Sequence, residues 1–370
     1  MSDLTNILKQ KGYRFFRNAP FIDREEEIEF LINRFEETPQ RILFLYGPKS
    51  TGKTTLIEYV IENELIDDKK LFKSSKYNIK YVNFRGKLIA SYNTFLDSVI
   101  TRKNVKLDEK LSASINLGVF KLNTEIFEAI KQKEIDIFDA LTDEFKKSKK
   151  KNIFIIDEIQ ILEDIYINGN RELLKEFLNF CVRLTKEIHL SHVVILTSNT
   201  IFLNRIYNDS KLKATSIFKL IDHPEEEISR KLLEDLGYDK KEIDLIIDYL
   251  GSAFTYLMKL AQFVKPNEDI DKLKEYLEAE KLDAYMQIDE ILTNTKKYGL
   301  ETFIDDKFIQ IAKEIIQNGY FDYKTKSRAK KQELINIIEV FSKKEILFFD
   351  PQTGIVTPNS RIYLKAMEDI

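Results

Sequence analysis

Short apolar runs, separated by segments with the 3.6-residue period of helices, mark the first 222 residues of the chain. Runs of this kind are typical of strands in a parallel sheet that is buried on both faces, with helices as the crossovers. The pattern therefore predicts an α/β domain over residues 1–222. Its strands are expected at Ile42–Tyr46, Ile79–Phe84, Ile153–Ile156, Val193–Leu196 and Ser216–Leu220.

A segment of different character separates the second predicted strand from the third. In this insertion, at about residues 100–130, Ala113, Ile115 and Leu117 alternate with polar residues. Alternation with a period of two indicates a strand that is buried on one face. We therefore expect a strand or hairpin at Ser112–Leu122, beside the main sheet.

Helical patterns dominate after residue 222. In 223–298, glycine or proline follows each apolar-periodic segment, as at the ends of helices, and the stretch is predicted to form a helical lid. In 299–370 the pattern predicts helices near 306–317 and 330–343, then a hairpin and a final helix. Helices followed by a hairpin indicate a winged helix-turn-helix. Gly319–Tyr323 reads as a poorly formed second helix of that motif.

Composition narrows the classes of protein that fit this pattern. The 370 residues are 43% hydrophobic and 32% charged, which excludes an intrinsically disordered chain. The 58 basic and 61 acidic residues give a formal charge of -3, so binding to nucleic acid would need a local patch. The single cysteine, Cys181, and the lack of a long uncharged apolar stretch lead us to expect a cytoplasmic protein without membrane contact.

A glycine-rich loop follows the first predicted strand and precedes a helical pattern. It fits G-x-x-x-x-G-K-[ST] in the context which that motif requires. Its N–H groups and the helix N-terminus favour phosphate, Lys53 adds positive charge, and Thr54 offers a hydroxyl to Mg²⁺. The residues predicted to bind ATP here are Gly47, Pro48, Lys49, Ser50, Thr51, Gly52, Lys53, Thr54 and Thr55.

Polar residues end the third and fourth predicted strands, at the sheet edge where ligands of parallel sheets bind. Asp157 is expected to hold Mg²⁺, and Glu158 to act as general base toward the attacking water. The fourth strand ends in Thr197, Ser198 and Asn199. One of these three residues, with Ser198 as the candidate, would sense the terminal phosphate. Alternatively, the cluster only caps the next helix.

These motifs resemble those of the archaeal ATPase family, in the STAND group of P-loop ATPases, which is related to AAA+ proteins. The segment Pro20–Ile28 is similar to an aromatic, small, Arg-Glu motif of that family. The resemblance implies that Phe21, Ile22 and Arg24 lie near the adenine. It also implies a sheet of strand order 5-1-4-3-2, a helical lid and a terminal winged helix.

The chain departs from the family near the fifth predicted strand. Lys213 stands where members commonly carry a catalytic arginine, with Arg205 as a substitute nearby. Lysine keeps the positive charge but lacks the bidentate fork that grips a transferring phosphoryl group. This difference predicts slow hydrolysis.

A basic cluster lies at residues 324–331, before and into the second C-terminal helix. Its side chains are of the kind that contact the phosphates of duplex DNA. The acids Glu333, Glu339 and Glu345, which follow, favour a protein partner instead. The candidate DNA contacts are Lys324, Lys326, Arg328, Lys330 and Lys331.

Together these observations predict a Mg-ATP-dependent switch with slow ATP hydrolysis, in which ATP or ADP determines the position of the winged helix. The alternative is a DNA-binding, AAA+-like ATPase of the origin-recognition type. A small-molecule kinase is disfavoured because the Asp157-Glu158 pair suits the activation of water.

Overall fold

The computed structural model describes residues 2–69, 72–102, 120–163, 165–167, 171–208, 210–301 and 304–370. Up to residue 222, these residues form a central sheet with helices on both faces. The elements in chain order are α1 (Ser2–Gln10), β1 (Phe15–Phe16), β2 (Ala19–Pro20), α2 (Glu25–Glu36), β3 (Ile42–Tyr46), α3 (Lys53–Val60), β4 (Tyr77–Asn83), α4 (Tyr92–Val99), β5 (Ile100–Arg102), β6 (Phe120–Leu122), α5 (Thr124–Lys131), α6 (Ile137–Lys146), β7 (Lys151–Asp157), β8 (Tyr166–Ile167), β9 (Arg171–Glu172), α7 (Leu173–Val182), β10 (Ser191–Thr197), α8 (Thr200–Asn208), α9 (Ser210–Ala214) and β11 (Ser216–Leu220).

The central sheet consists of the five predicted strands, and all neighbouring pairs are parallel. The strand order is β11-β3-β10-β7-β4. Numbered along the chain this is 5-1-4-3-2, so the predicted fold class is confirmed. Phe44 and Phe154 belong to the buried cluster on one face, and Leu43 and Ile155 to the cluster on the other. Burial on both faces explains why these strands read as unbroken apolar runs.

The insertion contributes a small parallel pair of strands beside the central sheet. Phe120–Leu122, the end of the strand or hairpin predicted at Ser112–Leu122, pairs with Ile100–Arg102. Residues 103–119 lie outside the described residues, so the remainder of that strand or hairpin stays a prediction. The ring of Phe120 is buried against Phe154, with 5.5 Å between ring centroids. This contact fixes the strand to one face of the sheet.

Helices predominate after residue 222, and the two C-terminal helices lie close to the bounds predicted for them, 306–317 and 330–343. None of the helices in the described ranges is long and apolar enough to span a membrane. The elements are α10 (Glu226–Asp235), α11 (Lys240–Leu250), α12 (Phe254–Phe263), α13 (Ile270–Thr293), α14 (Asp305–Asn318), β12 (Phe321–Asp322), α15 (Arg328–Lys343), β13 (Leu347–Asp350), β14 (Ile355–Pro358) and α16 (Arg361–Met367).

The C-terminal segment, defined here as residues 304–370, contains the two predicted helices and the hairpin. The prediction of a poorly formed helix at Gly319–Tyr323 is wrong. Phe321 lies opposite Val356, so β12 adds a third antiparallel strand to the hairpin of β13 and β14. The side chain of Phe321 is fully buried, and its burial explains why the strand forms there. Helix α15 begins at Arg328, two residues before the predicted start, because the Ser327 side chain caps it.

The helical lid and the C-terminal segment share one buried core. Leu277 of the lid, Phe341 and Met367 of the segment and Leu8 of α1 all belong to the same apolar cluster. The domain bounds 1–222, 223–298 and 299–370 stay predictions. The shared core means that the lid and the C-terminal segment pack as neighbours without a solvent gap.

Phe154 provides a test of the core assignment. Its ring is fully buried and contacts the rings of Phe120, Phe145 and Phe177. Phe154→Ala is expected to lower the free energy of unfolding by about 3–5 kcal/mol, because it removes buried surface and leaves a cavity. Phe263→Ala, at a ring that is 68% exposed, should change it by less than about 0.5 kcal/mol. Urea unfolding followed by circular dichroism measures both values, and equal midpoints for the two variants would contradict the assignment.

Candidate nucleotide-binding site

The predicted phosphate loop joins β3 to the N-terminus of α3. A β-carbon on Gly47 would lie 2.0 Å from the carbonyl oxygen of Ile221, so only glycine lets the two backbones approach this closely. Gly52 has φ +84° and comes directly before the first residue of α3. Free N–H groups and the positive end of the helix dipole at such an N-terminus favour an anion. The loop therefore leads into a helix N-terminus of the kind that can bind an anion.

The Lys53 side chain is buried inside this loop. Its Nζ donates hydrogen bonds to the carbonyl oxygens of Gly47 at 3.0 Å and Pro48 at 2.7 Å. Burial lowers the pKa of Lys53 to about 8, whereas the nearby carboxylates of Asp157 and Glu158 act in the opposite direction. The protein therefore only partly stabilises the charged form of this amine. A bound anion would favour that charged form.

Thr54 and Asp157, the predicted magnesium ligands, are in contact. Thr54 Oγ1 donates to Asp157 Oδ2 at 2.9 Å, and the Tyr81 hydroxyl lies 3.3 Å from the same oxygen. Burial raises the pKa of Asp157, and the hydrogen bond from Thr54 opposes this shift. A hydroxyl and a carboxylate are oxygen ligands of the type that Mg²⁺ prefers. These two residues therefore fit a magnesium ion that would take its other ligands from phosphate and water.

Glu158, the predicted general base, is held by a residue that the sequence analysis missed. Arg85 Nη2 donates to Glu158 Oε1 at 2.5 Å, and the Gln160 side chain donates to the other carboxylate oxygen. Glu158 also has φ +61°, an uncommon conformation for a side chain of this size. Arg85 lies two residues after the end of strand β4. A cation at the end of an apolar strand is the one feature of the sequence that could have indicated this residue.

The polar cluster after β10 divides its roles. Thr197 Oγ1 donates to Gln160 Oε1 at 3.0 Å, which connects it to Glu158 through Gln160. Asn199 caps α8, since its side chain accepts the N–H of Phe202 at 3.0 Å. Ser198 is half-buried and lines the same cavity as Glu158. Which of the three senses phosphate stays a prediction.

Several cavities border the phosphate loop, and two of them lie against the predicted magnesium and adenine residues. The larger, of about 710 Å³, is lined by Lys53, Thr54, Asp157, Glu158 and Ser198 together with residues from the lid and the C-terminal segment. The smaller, of about 160 Å³, is lined by Phe21, Ile22 and Arg24 and by Phe254 of α12. Ser50, Gly52 and Thr55 line both cavities. The loop therefore lies between a polar cavity and a mainly apolar one.

Among the residues predicted to lie near the adenine, Phe21 and Ile22 have apolar surroundings, whereas Arg24 binds backbone carbonyls. The Phe21 ring is stacked on Tyr59, with 4.3 Å between centroids. Arg24 is buried, and its Nη2 donates to the carbonyl oxygens of Thr51 at 2.9 Å and Asp222 at 2.7 Å. Arg24 thus fastens the phosphate loop to the chain that follows β11. Phe21 and Ile22 provide the apolar surface of the smaller cavity.

The predicted catalytic cation is not in the larger cavity. Lys213 lies exposed on α9 and is not among the residues that line either cavity. The side chain of Arg205, its proposed substitute, is outside the described part of the structure. Arg85 and Lys343 are cations that do line the larger cavity beside the phosphate loop.

The C-terminal segment contacts the phosphate loop directly, which the sequence did not predict. The Lys49 N–H donates to Asn359 Oδ1 at 3.0 Å, and the Lys49 side chain pairs with Glu345. At the end of β3, the Tyr46 hydroxyl donates to Asp350 Oδ1 at 2.9 Å. The hairpin and the end of α15 are therefore joined to the strand and loop that would hold phosphate.

Most of the basic cluster at 324–331 is engaged within the segment. Lys326 Nζ lies 2.7 Å from a carboxylate oxygen of Glu314. Lys330 pairs with Glu333 at 3.1 Å, and Lys331 Nζ donates to the carbonyl oxygen of Lys324. The side chains of Lys324 and Arg328 are exposed.

Comparison with known proteins identifies the family. The sequence profile described as an ATPase domain predominantly from Archaea matches residues 21–260. The chain belongs to this archaeal ATPase family. A protein of Methanocaldococcus jannaschii, named as an uncharacterized ATP-binding protein, is 30% identical over 376 residues, covering 95% of this chain and 97% of that protein. Another of that description, from Pyrococcus abyssi, is 31% identical over 364 residues, with coverage of 95% and 98%.

Solved structures resemble this member of the family more distantly. The ORC2 protein of Aeropyrum pernix in its ADP form is 15% identical, with a TM-score of 0.45 and 95% of each chain covered. Drosophila ORC bound to DNA is 13% identical, with a TM-score of 0.46, and the match covers 100% of this chain and 92% of that chain. The family assignment rests on the sequence relatives.

The low pKa of Lys53 predicts a proton-linked binding reaction. Burial lowers this pKa to about 8, so near pH 8.5 much of the amine is neutral in the free protein. Bound phosphate favours the charged amine, so nucleotide binding should take up a proton, and affinity should fall as pH rises above about 8. Calorimetry of ADP binding at about pH 8.5, in two buffers of different ionisation enthalpy, measures the uptake.

Lys53→Arg is the matched variant for this prediction. Its guanidinium stays protonated throughout this pH range. We therefore expect it to bind ADP without proton uptake and with a flat pH dependence. Equal proton uptake by the wild type and Lys53→Arg would show that another group titrates.

Proposed function

We propose that this member of the archaeal ATPase family binds Mg-ATP, hydrolyses it slowly and uses the nucleotide as a switch for its C-terminal segment. The observation that carries the proposal is the double contact of Lys49. Its backbone N–H binds Asn359 and its side chain pairs with Glu345. A residue of the phosphate loop is thus bonded to the segment that would move, so a change in the loop changes those contacts.

The roles of the site residues follow from their chemistry. Thr54 and Asp157 would hold the magnesium ion, whose contribution is to neutralise phosphate charge. Lys53 and the N–H groups of the loop would bind the β- and γ-phosphates. Glu158 would accept a proton from the water whose oxygen bonds to the terminal phosphorus, while the bond from that phosphorus to the ADP oxygen breaks.

Two features support slow hydrolysis. Both carboxylate oxygens of Glu158 accept hydrogen bonds, one from Arg85 and one from Gln160, so these partners compete with the attacking water for the acceptor sites of the base. Lys213, the residue at the family's arginine position, lies outside the lining of the larger cavity.

The choice of ATP as ligand is supported by the relatives. The M. jannaschii and P. abyssi proteins are both named as ATP-binding proteins, and each match covers 95% of this chain. The smaller cavity, with Phe21, Ile22 and Phe254 in its lining, offers an apolar surface of the kind that a purine base needs.

Two variants test the proposal. Lys53→Ala is expected to abolish the rise in melting temperature that ATP and Mg²⁺ cause, because a ligand that binds only the folded protein must stabilise it. Glu158→Gln should retain this rise but hydrolyse ATP about a hundredfold more slowly. Thermal melting and a phosphate-release assay measure the two effects. A normal thermal shift in Lys53→Ala would contradict binding at this loop, and wild-type hydrolysis by Glu158→Gln would contradict the role of base.

Binding to duplex DNA is the alternative function, and its support is narrower. Lys324 and Arg328 are exposed near the start of α15, where they could reach phosphates. Lys326 and Lys330 already pair with Glu314 and Glu333, so their use would require breaking those pairs. Lys331 has no carboxylate partner in the described residues, but its Nζ already donates to the carbonyl oxygen of Lys324. Of the five predicted contacts, Lys324 and Arg328 are therefore the two that need no existing bond to break.

The DNA alternative predicts binding whose affinity falls steeply between about 50 and 200 mM salt. Lys324→Glu with Arg328→Glu should abolish it, because both changes replace a phosphate-binding cation by an anion. Lys146→Glu with Lys147→Glu, at exposed lysines of the α/β domain, is the matched control and should leave it unchanged. Fluorescence anisotropy with a labelled duplex measures the affinity. Absence of binding by the wild type would exclude this alternative.

A further inference from the structure

The larger cavity receives one wall from the C-terminal segment, and that wall carries an acid. Ser342 and Lys343, at the end of α15, and Glu345, two residues after it, all line this cavity. Glu345 has φ +61° and pairs with Lys49 of the phosphate loop. Asp157 and Glu158 in the same lining have proposed roles toward magnesium and water, whereas Glu345 has none and its charge would repel a phosphate. We therefore expect Glu345 to have a role other than strengthening the binding of phosphate.

The two cavities distinguish the two ends of the ligand site. Phe21 and Ile22 line the smaller, apolar cavity, whereas Glu345 is absent from that lining and borders the larger cavity, together with Lys53 and Asp157. A nucleotide whose base occupies the apolar cavity would direct its phosphates toward the polar one. Glu345 therefore lies at the end of the site that the terminal phosphate would reach.

The charge of Glu345 acts on the phosphate-binding residues themselves. Burial lowers the pKa of Lys53, and the Glu345 carboxylate is among the acids that counteract this effect. The Lys49–Glu345 pair is itself partly open to solvent, with side-chain exposures of 56% and 33%. Exposed pairs of this kind contribute little to stability. Removing the charge of Glu345 should therefore change the electrostatics of the larger cavity and leave the fold intact.

We infer that Glu345 makes the site discriminate against the nucleoside triphosphate in favour of the diphosphate, and so couples the terminal phosphate to the C-terminal segment. The inference rests on the function proposed above. A terminal phosphate and the Glu345 carboxylate compete for the same cation, Lys49. Binding of the triphosphate displaces Glu345 and breaks its contact with the loop, whereas the diphosphate leaves that contact in place.

The test compares the dissociation constants of ADP and of ATPγS, each with Mg²⁺, for the full chain by isothermal titration calorimetry. Glu345→Gln removes the charge and keeps the size of the side chain. It is expected to tighten ATPγS binding about tenfold while ADP binding changes little. Glu368→Gln is the matched control. It removes an acid of the same segment that pairs with Lys365 and does not line the cavity, so both constants should stay as in the wild type.

A second variant separates loss of the pair from loss of the acid. Lys49→Gln leaves Glu345 without its cation and is expected to weaken ATPγS binding more than ADP binding. No change in Glu345→Gln, an equal gain for both nucleotides, or weaker ATPγS binding would each overturn the inference while leaving nucleotide binding intact. If the wild type binds neither nucleotide, the proposed function fails first, and the inference fails with it.

Discussion

The buried amine of Lys53 is the constraint on which the site depends. A lysine amine removed from water needs oxygen atoms around it, and the phosphate loop supplies them by turning the carbonyls of Gly47 and Pro48 toward Nζ. This turn brings the loop backbone against Ile221, which explains the glycine at position 47. The sheet order then places β7, which carries Asp157, one strand beyond β10 and within electrostatic reach of the amine.

Ion pairs connect the phosphate loop and Glu158 to more distant parts of the chain. Arg85 of the segment after β4 holds Glu158, and Glu345 of the C-terminal segment holds Lys49, so elements far apart in sequence neutralise one another at one cavity. A phosphate that binds Arg85 or Lys49 has to redistribute these pairs, because it leaves Glu158 or Glu345 without its cation. Such redistribution is a physical route by which a ligand at the loop can change contacts of the C-terminal segment.

The fold could be predicted from short sequence patterns because each pattern reflects the environment of its own residues. Ile153–Ile156 is apolar on both faces, and the structure buries both faces of β7. The Gly47–Thr54 motif determines the shape of its own loop, so the contact between Thr54 and Asp157 could be anticipated from two motifs at one sheet edge. Gly319–Tyr323 was misread because a two-residue strand has no periodicity, and only the partner Val356 explains Phe321.

The sequence by itself determined the parallel α/β core, the phosphate loop and the acids that face it, since each is encoded by neighbouring residues. Tertiary structure alone decided that Arg85 holds Glu158, that Arg24 fastens the loop to Asp222, and that Glu345 reaches Lys49. These contacts join residues 73, 198 and 296 positions apart. A single charged side chain shows no pattern that reveals its partner, and only the packing of the core brings the two together.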